Sequence, residues 1–127
     1  MKHLSNVVNW VEIPVRELAR AKDFYQSIFD LQMAELDVGN GLKMALFPVE
    51  KGGIGAALCQ HSDFYHPGRE GPLVYLNANP DLQMVLDRVE GAGGKIVIAK
   101  RQVSEEHGYM AVFEDCEGNR IALQSMH

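Results

Sequence analysis

The sequence has no C-x-x-C pair, no cluster of basic residues and no long apolar run, and each absence closes a class of function. Its two cysteines, Cys59 and Cys116, stand far apart, so neither a zinc knuckle nor a redox dithiol is indicated, and reduced thiols in a cytoplasmic protein are expected. Lys and Arg number 12 against 17 Asp and Glu, a net charge of -5. The basic residues are scattered, so the positive field that neutralises a phosphate backbone is missing and nucleic acid is not an expected partner. No segment reaches the roughly 18–20 consecutive apolar residues that a bilayer span requires, and the opening Met1 to Asn6 holds no signal-like apolar core. No membrane partner is expected.

What is present is a chain of 127 residues, 46% of them hydrophobic, enough for one sizeable core and too short for two ordinary independent domains. Val11, Ile13 and Val15 alternate with Trp10, Glu12 and Pro14 as in a strand, and Leu18, Ala21, Phe24, Tyr25, Ile28 and Phe29 then recur at helical spacing. The helix is predicted from about Leu18 to Phe29. Met33 to Val38 and Leu42 to Phe47 read as a hairpin about the Gly39-Asn40-Gly41 turn, and Ile54 to Gln60 as a further strand. Residues 61–72, rich in turn formers, read as a linker.

The order then repeats. Leu73 to Ala78 is a predicted strand, and Pro80 opens a predicted helix, at a position that suits it, with a buried stripe of Leu82, Val85, Leu86 and Val89. Gly91, Gly93 and Gly94 end that helix. Lys95 to Ala99, Tyr109 to Glu114 and Asn119 to Ser125 read as strands. Met44-Ala-Leu-Phe47 echoes Met110-Ala-Val-Phe113, and Ala57-Leu58 echoes Ala122-Leu123, at an offset of about 65 residues. A tandem duplication accounts for this. The expected fold is α+β, two βαβββ modules (about 7–60 and 73–126) in a single unit over residues 1–127, with a curved mixed sheet forming a cup and the helices outside. Such a cup suits a small molecule.

The run N-W-V-E-I-P-V-R-E-L-A-R-A-K-D-F-Y-Q-S-I-F-D-L, together with V-Y-L-N-A-N-P-D-L, G-A-G-G-K-I and F-E-D-C-E-G-N-R-I-A-L, resembles the vicinal oxygen chelate superfamily. That superfamily comprises glyoxalases, bleomycin-resistance proteins, fosfomycin-resistance enzymes and extradiol dioxygenases. The resemblance implies the two-module fold and metal ligands, usually His, Gln or Glu, on the first and last strand of each module. Carried onto this sequence, those positions are Trp10, Leu73, Ala122 and either Ala57 or Ala56. Cys116 stands where the family often has a proline in the turn before the last strand.

None of these side chains suits a divalent ion. No cofactor is therefore expected, and a divalent metal only through non-standard ligands such as His61, His66 or His107. Glu12, two residues after Trp10, shares its face and is the candidate catalytic base or ligand anchor. Trp10, Cys59, Tyr75, Asn77, His107, Tyr109 and Gln124 are the candidate ligand-binding residues. Two readings stay open: a metal-free small-molecule-binding protein of the bleomycin-resistance kind, and a glyoxalase-like lyase or isomerase acting on a small carbonyl compound or thiol adduct with Glu12 as base. Exposed module edges, and the dimers common in the family, make a homodimer the expected assembly.

Overall fold

The structure, a computed structural model, describes residues 5–127; Met1 to Leu4, part of the N-terminal stretch read above, lie outside the described residues. The first module runs β1 (Trp10–Pro14), α1 (Leu18–Phe29), β2 (Ala34–Gly39), β3 (Leu42–Leu46) and β4 (Gly55–Gln60). The second repeats the order as β5 (Val74–Asn77), α2 (Leu82–Ala92), β6 (Lys95–Ser104), β7 (Gly108–Glu114) and β8 (Arg120–Ser125). Each module folds into a four-stranded mixed sheet, ordered β1-β4-β3-β2 and β5-β8-β7-β6. The first strand lies parallel to the last and the other pairs are antiparallel. The expected fold class is thus the observed one, made of two sheets. The main departure is β6, which continues to Ser104 where the sequence pattern stops at Ala99, because residues 101–104 pair with 108–110 across a tight turn.

The two helices bury one stripe each, Leu18, Ala21, Phe24, Tyr25 and Ile28 on α1 and Leu82, Val85, Leu86 and Val89 on α2. These stripes, with Ile13, Val15, Ala45, Leu58, Phe113, Ile121 and Leu123, form one core shared by both modules. Aromatic rings cross the boundary, with Phe24 and Phe113 centroids 6.0 Å apart.

Polar contacts lock the same boundary. The α1 N-terminus lacks a side-chain cap from its own N-cap residue, Glu17. Glu117, about a hundred residues later in the β7–β8 turn, supplies it: its carboxylate accepts from the Arg16 and Glu17 amides at 2.8 and 2.9 Å, while Gln60 Oε1 accepts from the Leu18 amide at 2.7 Å. Three backbone donors at the entrance of the helix, those of Arg16, the N-cap Glu17 and the first helical residue Leu18, are thereby satisfied. Asp115, in the same turn, accepts from the Glu117 and Asn119 amides, from Asn119 Nδ2 and from the buried Tyr25 hydroxyl, the last at 2.6 Å. The Asp115–Asn119 stretch therefore serves as a joint between the modules.

Candidate functional site

Strand pairing fixes which residues share a face. Glu12 pairs with Ala57, Ile13 with Leu58, Pro14 with Cys59 and Trp10 with Gly55. Ile13 and Leu58 belong to the core, so Trp10, Glu12, Pro14, Ala57 and Cys59 occupy the opposite, cup face. This settles the register left open above: Ala57, beside Glu12, is the cup residue, whereas Ala56 pairs with Val11, which packs against the core. In the second module Tyr75 pairs with Ala122 and Asn77 with Gln124, and Leu76 and Leu123 mark the core side. Glu12 and Tyr75 are thus positional counterparts, as are Trp10 and Leu73.

Both first strands are edges of their sheets, and between them lies a cleft of about 1230 Å³. Trp10, Glu12 and Pro14 form part of one wall, Leu73, Tyr75 and Asn77 part of the other, and residues 66–72 of the linker contribute His66, Arg69 and Glu70. Four of the expected site residues, Trp10, Glu12, Tyr75 and Asn77, are brought together here.

The Glu12 carboxylate is held at both oxygens. Tyr65, from the linker, donates its hydroxyl to Oε1 at 2.5 Å, and the Trp10 indole donates to Oε2 at 3.3 Å. Donating this bond and partial burial hold the Tyr65 phenol well above its ordinary pKa, because ionisation would remove the donated proton and place a second negative charge against Glu12. Cys59 is fully buried beside this group. Burial, followed by the nearby charge of Glu12, pushes its thiol up to about 11, so it rests as an unreactive S–H. The Trp10 ring lies against Gly55: a Cβ at that glycine would sit 2.8 Å from the indole Cζ3. Glycine there lets the ring lie flat on the strand.

The remaining expected residues are placed elsewhere. Gln124 is on the cup face, yet its amide donates to the His107 carbonyl at 2.8 Å. His107 closes the β6–β7 turn with Ser104, its amide donating to the Ser104 hydroxyl at 2.9 Å. Tyr109 is a correction. It pairs with Ser125, whose hydroxyl accepts the α2 amide of Leu82, and so faces the helices, packed against the core with Lys100 4.7 Å above its ring. On this strand Met110, not Tyr109, takes the cup face.

The cup face of the second module is apolar and filled: Met110, Val112 and Ala122 are buried together, with Leu73 packed on them. Arg120, which also lines the cleft, donates from Nη2 to the Gly71 carbonyl at 3.2 Å, and its buried Nε finds no partner among the described residues.

His61 anchors the start of the linker. Its Nδ1 accepts from the Asp63 amide at 3.2 Å, which assigns the proton to Nε2 for donation to the Asn40 carbonyl at 3.0 Å. Among the described residues no three His, Cys, Asp or Glu side chains gather around a common point. At Trp10, Leu73, Ala57 and Ala122 the donor set does not fit a divalent ion, for an indole N–H and alkyl groups supply no ligating lone pair.

The sequence pattern missed Tyr65 as the partner of Glu12, since residues 61–72 have no periodicity from which to aim a side chain. It also missed Glu117 as the cap of α1, a contact that only the packing of the two modules creates.

Comparison with known proteins agrees with this architecture. The profile of the Glyoxalase/Bleomycin resistance protein/Dioxygenase superfamily matches residues 7–123. No curated protein sequence matches the chain. Among solved structures, a hypothetical protein from S. aureus is 18% identical with a TM-score of 0.69, covering 98% of this chain and 95% of that one. A mutant of the genomically encoded fosfomycin resistance protein FosX from Listeria monocytogenes, complexed with Mn(II) and 1S,2S-dihydroxypropylphosphonic acid, is 14% identical with a TM-score of 0.66, covering 98% and 95%. Glyoxalase I from Zea mays is 20% identical with a TM-score of 0.69, covering 93% of this chain and 45% of that one. At these identities the likeness concerns the fold.

Proposed function

Because the chain belongs to the Glyoxalase/Bleomycin resistance protein/Dioxygenase superfamily, we propose that it binds a small organic molecule in the cleft between β1 and β5 without the family's metal site. The observation that carries this reading is the convergence of Trp10, Glu12, Tyr75 and Asn77 on one cleft of about 1230 Å³, large enough for a drug-sized ligand. The side chains at the four family ligand positions support metal-free binding, since none offers a ligating atom. The protein acts in the cytoplasm as a homodimer, its assembly favoured by strand edges that leave backbone groups unpaired.

Thermal-shift screening of a fragment set against metal-stripped protein tests the binding reading, with a concentration-dependent rise in Tm expected from a binder of the folded state. Metal analysis of the untreated protein should find far less than one divalent ion per chain. One tightly held ion per chain would sink the metal-free assignment. Sedimentation at micromolar concentration should give a dimer, and a strictly monomeric profile would refute that part.

A second reading, a lyase or isomerase with Glu12 as general base, is favoured by one contact. The Tyr65 hydroxyl holds a carboxylate oxygen of Glu12 at the cleft wall, the kind of fixed orientation a base needs. Turnover of a small carbonyl compound or thiol adduct that vanishes in Glu12→Gln would establish it. Turnover unchanged in that variant would remove Glu12 from the chemistry.

A further inference from the structure

We infer that Glu12, Trp10 and Tyr65 form a subsite for the cationic nitrogen of a small organic ligand, an alkylated or quaternary amine. The inference rests on the binding reading above and names its ligand class.

Its first support is a carboxylate with no counter-charge among the described residues. The Glu12 oxygens accept from a phenol and an indole, both neutral donors, and no ion pair among the described residues includes Glu12. A carboxylate has about four acceptor positions, so these two donors orient it and leave acceptor capacity open. The arginines of the cleft are engaged elsewhere, Arg69 with Glu114 and Arg120 with the Gly71 carbonyl.

The second support is what surrounds that charge. The Trp10 ring rests on Gly55 and is 44% exposed, so it offers a π face beside the carboxylate. Tyr65 is braced by Phe64, edge to face at 5.0 Å. Aromatic faces attract cations through their quadrupole. Ala57 and Cys59, both fully buried, make the strand beneath apolar and uncharged. A carboxylate framed by aromatic rings over an apolar floor is suited to a cation whose charge is wrapped in methyl or methylene groups, more than to a compact hydrated metal ion that prefers several oxygen ligands.

The third support is asymmetry. The counterpart of Glu12 is Tyr75 and that of Trp10 is Leu73, so the second module repeats the backbone without the charge or the indole.

The experiment uses the full-length protein and its single tryptophan, whose emission reports directly on the subsite. Choline is titrated against 3,3-dimethyl-1-butanol, which has the same shape with carbon in place of the charged nitrogen. Choline should shift Trp10 emission saturably, with an affinity about tenfold or more above that of the isostere, the scale of a desolvated cation–π contact aided by a carboxylate. In Glu12→Gln, checked for native circular dichroism, the two should bind alike.

Equal affinities in the unmodified protein would overturn the inference, and that comparison needs no variant to fold. A preference for choline that survives in folded Glu12→Gln would overturn the role of Glu12. If choline leaves Trp10 unmoved while an uncharged fragment still binds in the cleft, the cation assignment falls and the binding reading stands; if no fragment of any charge binds, both fall.

Discussion

On the helix-facing side of the sheets, Leu58 of β4 and Leu123 of β8 hold equivalent places, both fully buried in the core that the two modules share. On the opposite side the equivalence ends. Glu12 stands beside Ala57 with Trp10, Tyr65 and Cys59 around it, whereas Tyr75 stands beside Ala122 over a packed cluster of Leu73, Met110 and Val112. A duplicated backbone must keep its core face to stay folded, because every buried methylene there contributes to stability. On the cup face the exposed positions of the two first strands, Trp10 and Glu12 in one module and Tyr75 and Asn77 in the other, are under no such demand. The difference teaches that structure resides in what the modules share, and the proposed ligand site in what they do not.

The largest expected effect breaks the shared face. Leu58→Ala and Leu123→Ala should each cost about 2–5 kcal/mol of stability, measured by urea unfolding, and by similar amounts. A large inequality would mean that one module carries the core alone. Next comes the joint between modules. Tyr25→Phe removes the hydroxyl that donates to buried Asp115 and should cost about 1–3 kcal/mol, the usual penalty for a buried acceptor that loses a partner.

A smaller effect, with a pH signature, belongs to Glu117. Burial alone would raise its pKa, but the Arg16 and Glu17 amides and the Arg20 guanidinium outweigh burial and hold it below the ordinary carboxylate range. A carboxyl with a depressed folded value stabilises the protein above its unfolded value, about 4.3, and loses that contribution as pH falls through the folded one. Glu117→Gln should therefore be destabilised by about 1 kcal/mol at pH 7, with the gap to the native protein closing below about pH 4. A gap that stays constant from pH 7 to pH 3 would show that the carboxylate charge is not what caps α1.

The smallest effect sharpens the cup-face contrast. Gly55→Ala places a Cβ where the Trp10 ring now rests, and since that ring is partly exposed it can swing outward. Stability should change by less than about 1 kcal/mol, while Trp10 emission shifts and ligand affinity falls. An unchanged emission spectrum would mean that the ring does not lie on Gly55.

Much of the fold was legible in the sequence because it rests on local periodicity. The two-residue alternation through Ile13 and Val15 and the helical stripe from Leu18 to Ile28 each specify an element within a few turns of chain, and the repeat supplied the second module. Of the site, Trp10 was implied by the family resemblance, and Glu12, Tyr75 and Asn77 followed from strand parity with the positions that resemblance marked. Tyr109 was expected at the lip of the cup as the start of a strand, whereas the unbroken β7–β8 pairing turns it toward the helices. The contact of Tyr65 with Glu12 was invisible for a different reason: an aperiodic linker aims its side chains by tertiary contacts. Glu117 likewise joins a helix about a hundred residues distant, a relation that only the packed core defines.

The most direct test of the central claim is a ¹⁵N–¹H correlation spectrum of metal-stripped protein, titrated with a fragment that raises its Tm. The single tryptophan gives a single indole N–H signal. That signal should move saturably, together with backbone amides confined to β1, β5 and residues 61–72, without added metal. An indole signal that stays fixed while the fragment binds elsewhere, or that moves only after a divalent ion is supplied, would contradict the account.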